Sequence, residues 1–215
     1  MADPNGILAV GGDLSPERLL LAYERGIFPW FNEGEPIIWW SPDPRFVLFP
    51  DELKISKSMR PYFNQQKFTV MLDTQFEAVM RGCQTGNRPG QFGETWITED
   101  MLEAYVRLHH LGYAHSVEVW KEAELVGGLY GISIGKVFFG ESMFARVANA
   151  SKFGFIILVK KLQELGFQLI DCQQATSHLG SLGARAIARK TFLEILQKNE
   201  AEETFVGGWS SFLSK

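Results

Sequence analysis

Two acidic residues sit at the ends of apolar segments that read as strands. Lys136-Val137-Phe138-Phe139-Gly140 delivers Glu141-Ser142-Met143-Phe144, and Phe167-Gln168-Leu169-Ile170 ends in Asp171-Cys172-Gln173. A carboxyl group so placed costs stability unless it is paired or used in handling a proton or a charge. Two such strand ends can converge on one substrate. Other chemistries find less support. The four histidines do not pair at metal-ligand spacing, and no GxSxG elbow, HExxH helix or paired CxxC occurs. His109-His110 fall near a helix C-terminus, where they suit its dipole. Cys83 and Cys172 are too few and too far apart for a disulfide framework and read as buried free thiols. Gly127-Gly128-Leu129-Tyr130-Gly131 has the look of a phosphate loop but lies within a run of strands, so close strand packing or a bulge accounts for it better.

The elements that must position the two acids follow from periodicity and punctuation. Between them, after Asn149-Ala150-Ser151-Lys152, comes a helix with Phe155, Leu158, Leu162 and Leu165 on one face and Gly166 as its stop. Upstream, residues 116–120, 125–130 and 136–139 form a meander with turns at 121–124 and 133–135. This β-β-β-α-β order resembles the core of the acetyltransferase (GNAT-like) superfamily. Nearer the N-terminus, Ser15 caps a helix with Pro16 at its first position, a buried stripe of Leu19, Leu20, Ala22 and Tyr23, and Gly26 at its end. The aromatic segments 27–31 and 37–44 contain prolines, which predict fixed, irregular backbone rather than strand centre. Residues 45–49 and 68–72 read as strands, 75–83 as a short helix, and 84–95 as a Gly-rich loop landing on Trp96. Thr98 caps a helix through Leu111, with Glu99 and Asp100 favourable to its dipole. Two more helices are predicted, from Ser177 to Gly183 and from Thr191 to Lys198, and the tail from Ala201 carries no legible pattern. The expectation is an α/β (α+β) protein of two domains. Residues 1–97 form an N-terminal α/β domain with aromatic loops, and 98–215 a GNAT-like catalytic domain with a mixed sheet.

Composition narrows the class. At 215 residues and 46% hydrophobic the chain can bury a full core, and with 21% charged residues and no low-complexity tract it is not a disordered chain. No apolar run approaches the roughly 20 residues of a membrane span. The start, Met1-Ala2-Asp3-Pro4-Asn5-Gly6, lacks the basic and apolar regions of a signal peptide, so a cytoplasmic protein is expected. A formal net charge of −4 argues against a generic nucleic-acid surface. Locally the balance reverses: between Leu53 and Leu72 stand Lys54, Lys57, Arg60 and Lys67 with no acid. By charge alone that run reads as a solvated face. Trp30 and Trp96 are flanked by Pro or Gly-rich loops, where an aromatic ring can stack on a base, although core packing explains most of six tryptophans.

The words of the sequence add to this. The chain resembles the bacterial leucyl/phenylalanyl-tRNA–protein transferase family along nearly its whole length. The resemblance is carried by Gly11-Gly12-Asp13-Leu14-Ser15, Gly26-Ile27-Phe28-Pro29-Trp30-Phe31 and Trp39-Trp40-Ser41-Pro42-Asp43-Pro44-Arg45. It continues through Trp96-Ile97-Thr98, His115-Ser116-Val117-Glu118-Val119-Trp120, Phe139-Gly140-Glu141-Ser142-Met143-Phe144, Ile170-Asp171-Cys172-Gln173 and Ser181-Leu182-Gly183-Ala184. The resemblance implies an enzyme that moves Leu or Phe, and less readily Met, from aminoacyl-tRNA onto proteins with N-terminal Arg or Lys, marking them for degradation. It implies no metal and no organic cofactor, because an aminoacyl ester is already activated and needs only to be held beside a neutral amine. Asp171 would orient Gln173 and favour the attacking amine, and Glu141 would bind near the aminoacyl α-amine. Leu129, Phe155, Leu158, Leu162 and Ile170 would line a closed apolar pocket for the side chain. Trp30 and Trp96 would stack on the terminal adenosine, and Lys54, Lys57 and Arg60 would touch acceptor-stem phosphates. A monomer is expected on family grounds. The run is thinner than in relatives, with Pro61, Asn64 and Gln65 at positions often cationic there, and relatives carry a longer segment before Asp3-Pro4-Asn5-Gly6. Two other readings compete. An acetyl-CoA-dependent N-acetyltransferase would want glycines where Arg146-Val147-Ala148-Asn149-Ala150 stand. A non-catalytic RNA-binding module would use only the aromatics and the basic run.

Overall fold

The structure, a computed structural model, describes residues 6–85 and 96–213. Most of the Gly-rich loop at 84–95 therefore lies outside the described residues. A small antiparallel sheet forms first, from β1 (Ile7–Val10), β2 (Phe28–Pro29) and β3 (Ile38–Trp40) in the order β1-β3-β2, with α1 (Pro16–Glu24) connecting β1 to β2. The aromatic segments predicted to be irregular thus contain two short strands. Pro29 is tolerated because β2 is an edge, where a missing N–H breaks no ladder.

The larger sheet has seven strands. It draws on β4 (Arg45–Leu48), β5 (Thr69–Leu72), β6 (Ala114–Lys121), β7 (Glu124–Ile134), β8 (Val137–Ala145), β9 (Leu169–Gln173) and β10 (Arg185–Ile187), in the order β10-β4-β9-β8-β7-β6-β5. Between them run α2 (Arg60–Asn64), α3 (Phe76–Thr85), α4 (Glu99–His110), α5 (Ala150–Glu164) and α6 (Ser177–Ser181), and α7 (Arg189–Asn199) follows β10. The meander β6-β7-β8, the crossover helix α5 and the parallel strand β9 reproduce the β-β-β-α-β order expected. The sheet takes strands from both sides of residue 97, since β4 and β5 precede it.

Strand alternation gives the sheet two apolar faces. One packs against α1, α3, α4 and α7 through Tyr130, Ile132 and Phe139; the other packs against α5 through Val117, Val119, Leu129 and Ile170. Helix α4 starts where its cap predicts, the Thr98 hydroxyl accepting from the Met101 N–H at 3.2 Å. The tail closes the second face: Trp209 is buried, its N–H donates to Asp73 Oδ2 at 2.7 Å, and its ring stacks on His115 at 3.7 Å. Among the described residues, no helix is long and apolar enough to cross a membrane.

Candidate functional site

The site forms where the sheet parts. Strands β8 and β9 pair in parallel only over Val137–Phe139 and Leu169–Asp171, although β8 runs on to Ala145 and β9 to Gln173. Past that point β8 stays bound to β7, and β9 to β4. Glu141 and Asp171 therefore lie at the end of the parallel pairing rather than at the ends of their strands. Each strand also carries a bulge there. Gly131 pairs with Gly140 and Tyr130 with Ser142, leaving Glu141 as the extra residue; Val47 pairs with Asp171 and Phe46 with Gln173, leaving Cys172 extra. A bulge re-aims side chains and increases twist. Gln173 comes out of the second one in the left-handed region, at φ 58°, a conformation that a non-glycine residue holds only when its surroundings impose it.

A cavity of about 590 Å³ occupies the parting. One wall is apolar, made by Leu129, Met143, Phe155, Ile170 and Leu179; another carries Glu141, Gln173 and Gln174; Phe28, Pro29, Trp30 and Trp96 bring in the aromatic segments. Of the five residues expected in an apolar pocket, Leu129, Phe155 and Ile170 line this space, and Leu158 and Leu162 do not. Those two are 1% and 0% exposed inside the core between α5 and the sheet. The reason is position along the helix: Ser151 and Phe155, in the first turns of α5, face the cavity, while Leu158 and Leu162 continue the same face into the core beyond it. Cys172 also lines it as a free thiol, pushed well above its usual range by burial and by the Asp171 charge.

The polar wall is a continuous hydrogen-bonded chain. Asp171 and Arg45 form a bidentate ion pair with both side chains buried, Nε to Oδ1 at 2.8 Å and Nη2 to Oδ2 at 2.6 Å. Asp171 Oδ1 also accepts the Gln173 backbone N–H at 2.9 Å. Gln173 Nε2 donates to Glu141 Oε1 at 2.8 Å, and Glu141 receives the Tyr23 hydroxyl at 2.7 Å and the Tyr105 hydroxyl at 3.3 Å. The two phenols also lie within hydrogen-bond reach of each other, the Tyr105 hydroxyl sharing its one proton between the Tyr23 oxygen and Glu141 Oε2 while Tyr23 donates to Glu141 Oε1. Burial, joined by the Glu141 charge, raises both phenols well above their usual range. Burial pushes Glu141 up to about 7, helped by the charge of Asp171 and opposed by its three donors.

Sequence reasoning had no role for Arg45, Tyr23 or Tyr105. Tyr23 reads as one more member of an apolar stripe, and nothing local to Arg45 announces a partner 126 residues away. The basic run lies outside the cavity. Lys54, Lys57 and Arg60 are exposed, and α2 is docked beside the start of α5 by a Tyr62–Asn149 hydrogen bond of 2.9 Å and by Phe63 stacked on Phe153 at 4.4 Å. Among the described residues, no group of three or more His, Cys, Asp or Glu side chains is placed to hold a metal ion.

A β-β-β-α-β core with its cavity at the divergence of two parallel strands is the plan of the acetyltransferase-like α/β class. The sequence comparisons give the family. Residues 47–197 match the description "Leucyl/phenylalanyl-tRNA protein transferase", and residues 12–43 that family's N-terminal domain. The chain belongs to the leucyl/phenylalanyl-tRNA protein transferase family and is, on that ground, a transferase. Curated relatives carrying that name include one from Pseudomonas fluorescens (strain Pf0-1), 58% identical over 93% of this chain and 87% of its own. Another, from Christiangramia forsetii, is 60% identical over 91% of this chain and 92% of its own. Among solved structures, L-PGS from Bacillus licheniformis aligns at a TM-score of 0.40 and 13% identity over 76% of this chain and 52% of its own. A GCN5-related N-acetyltransferase from Kribbella flavida aligns at 0.38 and 11% over 80% and 61%.

Proposed function

We propose that this enzyme moves Leu or Phe, and less readily Met, from aminoacyl-tRNA to the α-amine of proteins beginning with Arg or Lys, so marking them for degradation. The observation that carries the reading is one cavity of about 590 Å³ lined both by the apolar side chains Leu129, Phe155 and Ile170 and by the hydrogen-bonded pair Glu141 and Gln173. In the reaction the amine nitrogen attacks the ester carbonyl carbon, the bond from that carbon to the ribose oxygen breaks, and the amine proton passes to the leaving oxygen. The ester brings its own activation, so the enzyme's part is to hold the two reactants and to manage one proton.

Each residue then has a task. Glu141 anchors the α-amine of the aminoacyl group. Gln173, turned into the cavity by its bulge, orients the attacking amine. Asp171 has both oxygens engaged by Arg45 and the Gln173 N–H, which favours a positioning role over that of a base. Leu129, Phe155 and Ile170 receive the side chain, with Leu158 and Leu162 supporting them from behind. Discrimination among side chains one methylene apart is worth only about 1–3 kcal/mol in such a pocket. Trp30 and Trp96 hold the terminal adenosine, and Lys54, Lys57 and Arg60 take acceptor-stem phosphates. The reading also takes the enzyme as cytoplasmic and monomeric, in keeping with the family resemblance.

The test is transfer of labelled Phe from Phe-tRNA to reporters beginning with Arg or with Ala. Transfer to the Arg reporter alone is expected, falling about 100-fold in Gln173→Asn, which tolerates the left-handed turn but shortens the reach. A folded, tRNA-binding protein that transfers to neither reporter overturns the reading.

A further inference from the structure

The polar wall ends in a residue that touches no part of the cavity and yet meets several elements that build it. Arg45 opens β4, 1% exposed. Its Nε and Nη2 hold the Asp171 carboxylate, and its Nη1 donates to the Gly26 carbonyl at 3.2 Å, just past the end of α1. Its guanidinium carbon lies 4.7 Å from the ring centres of both Phe28 and Phe192, a contact made with each ring. Phe28 is itself in the cavity wall, two residues before Trp30. One side chain thus ties the strand bearing Gln173 to the aromatic segment, and both to the helix whose Tyr23 bonds Glu141.

We infer that Arg45 is a positioning residue: by fixing Asp171 it sets the Gln173 turn, and by its contact with Phe28 it sets that turn in register with the Phe28–Trp30 wall. Asp171 spends one oxygen on Arg45 and on the Gln173 N–H together, so its orientation is the orientation of the turn. An ammonium cannot reproduce the planar, two-pronged grip of a guanidinium. A shift of about 1 Å at a reacting group is enough to cost about 100-fold in rate. The consequence for catalysis rests on the transfer proposed above; the consequence for the turn does not.

Arg45→Lys keeps the buried charge and removes the fork. Two readouts separate the ideas. Backbone amide exchange at Gln173 is expected to quicken about tenfold, the loss of roughly one hydrogen bond, while the Ser116 amide, held by Asp73 at 2.8 Å, keeps its rate. Single-turnover transfer to an Arg-initiated peptide is expected to fall about 100-fold with tRNA affinity unchanged. In Arg45→Ala, added methylguanidinium is expected to restore part of the missing Gln173 protection and of the rate, which no general loss of stability would permit. Gln173 exchange at the wild-type rate in Arg45→Lys, or no recovery with methylguanidinium, overturns the inference. A wild-type enzyme that transfers nothing overturns the proposed function instead, and the exchange rates alone then decide on Arg45.

Discussion

Glu141 holds its proton in the folded protein up to about pH 7, against a starting value of 4.5. Between those two values the native state binds more protons than the unfolded chain, so stability falls as pH rises from about 4.5 to about 7 and levels off above. Glu141→Gln is expected to remove that slope, which urea unfolding at a series of pH values will show. Activity should run the other way. In the role proposed for Glu141 the ionised carboxylate anchors an α-ammonium, so kcat/KM for transfer is expected to rise through pH of about 7 in the wild type. The attacking amine, titrating near about 7.7, contributes its own limb, so the informative quantity is the difference between the wild-type and Glu141→Gln profiles. Identical profile shapes would show that ionisation of Glu141 does not matter to the reaction.

The strands that carry the site owe their shape to a few close approaches. Gly131 stands opposite Gly140 beside the β8 bulge, and a Cβ there would meet the Phe139 carbonyl oxygen at 2.2 Å and the Phe138 ring at 2.6 Å. The glycine-rich run of β7, which by sequence points to close packing or a bulge, has both. Gly131→Ala is expected to destabilise the fold by at least about 1–3 kcal/mol, the usual cost of overpacking. Gly208→Ala, where the added atom meets nothing within 4 Å, should change stability by no more than about 0.5 kcal/mol. Denaturant midpoints of the two variants make the comparison. Equal midpoints would mean that β7 and β8 can separate at the bulge without penalty. Helix α5 shows the other side of the same lesson. Its apolar stripe is legible as a period, but the period does not say which turns meet the core and which meet a cavity. Only Phe155 of the stripe reaches the cavity, while Leu158 and Leu162 serve the packing behind it.

A chain of formal charge −4 binds a polyanion only through local cations. Replacing Lys54, Lys57 and Arg60 by Ala is expected to lower the slope of log affinity for tRNA against log salt by about 0.7–0.9 for each phosphate no longer neutralised, with transfer from saturating aminoacyl-tRNA retained. A filter-binding series across salt concentrations checks it, and an unchanged slope would place the tRNA backbone elsewhere. The longer helices and their glycine stops, the Thr98 cap, the meander and its crossover, the pair of acids and the family are legible in the chain alone, because each is written in local spacing or in contiguous words; Ser15 stands at the N-cap of α1, but its hydroxyl donates to Asp13 Oδ1 and makes no cap bond. Tertiary packing alone brings β4 and β5 into the same sheet as the later strands and seats Trp209 on its second face. It alone put Arg45 against Asp171 across 126 positions and made Glu141 and Cys172 the extra residues of two facing bulges. Those features depend on strand register and on the burial of one charge by another. Both are set by interactions between segments remote in sequence, which leave no period or neighbour pattern behind.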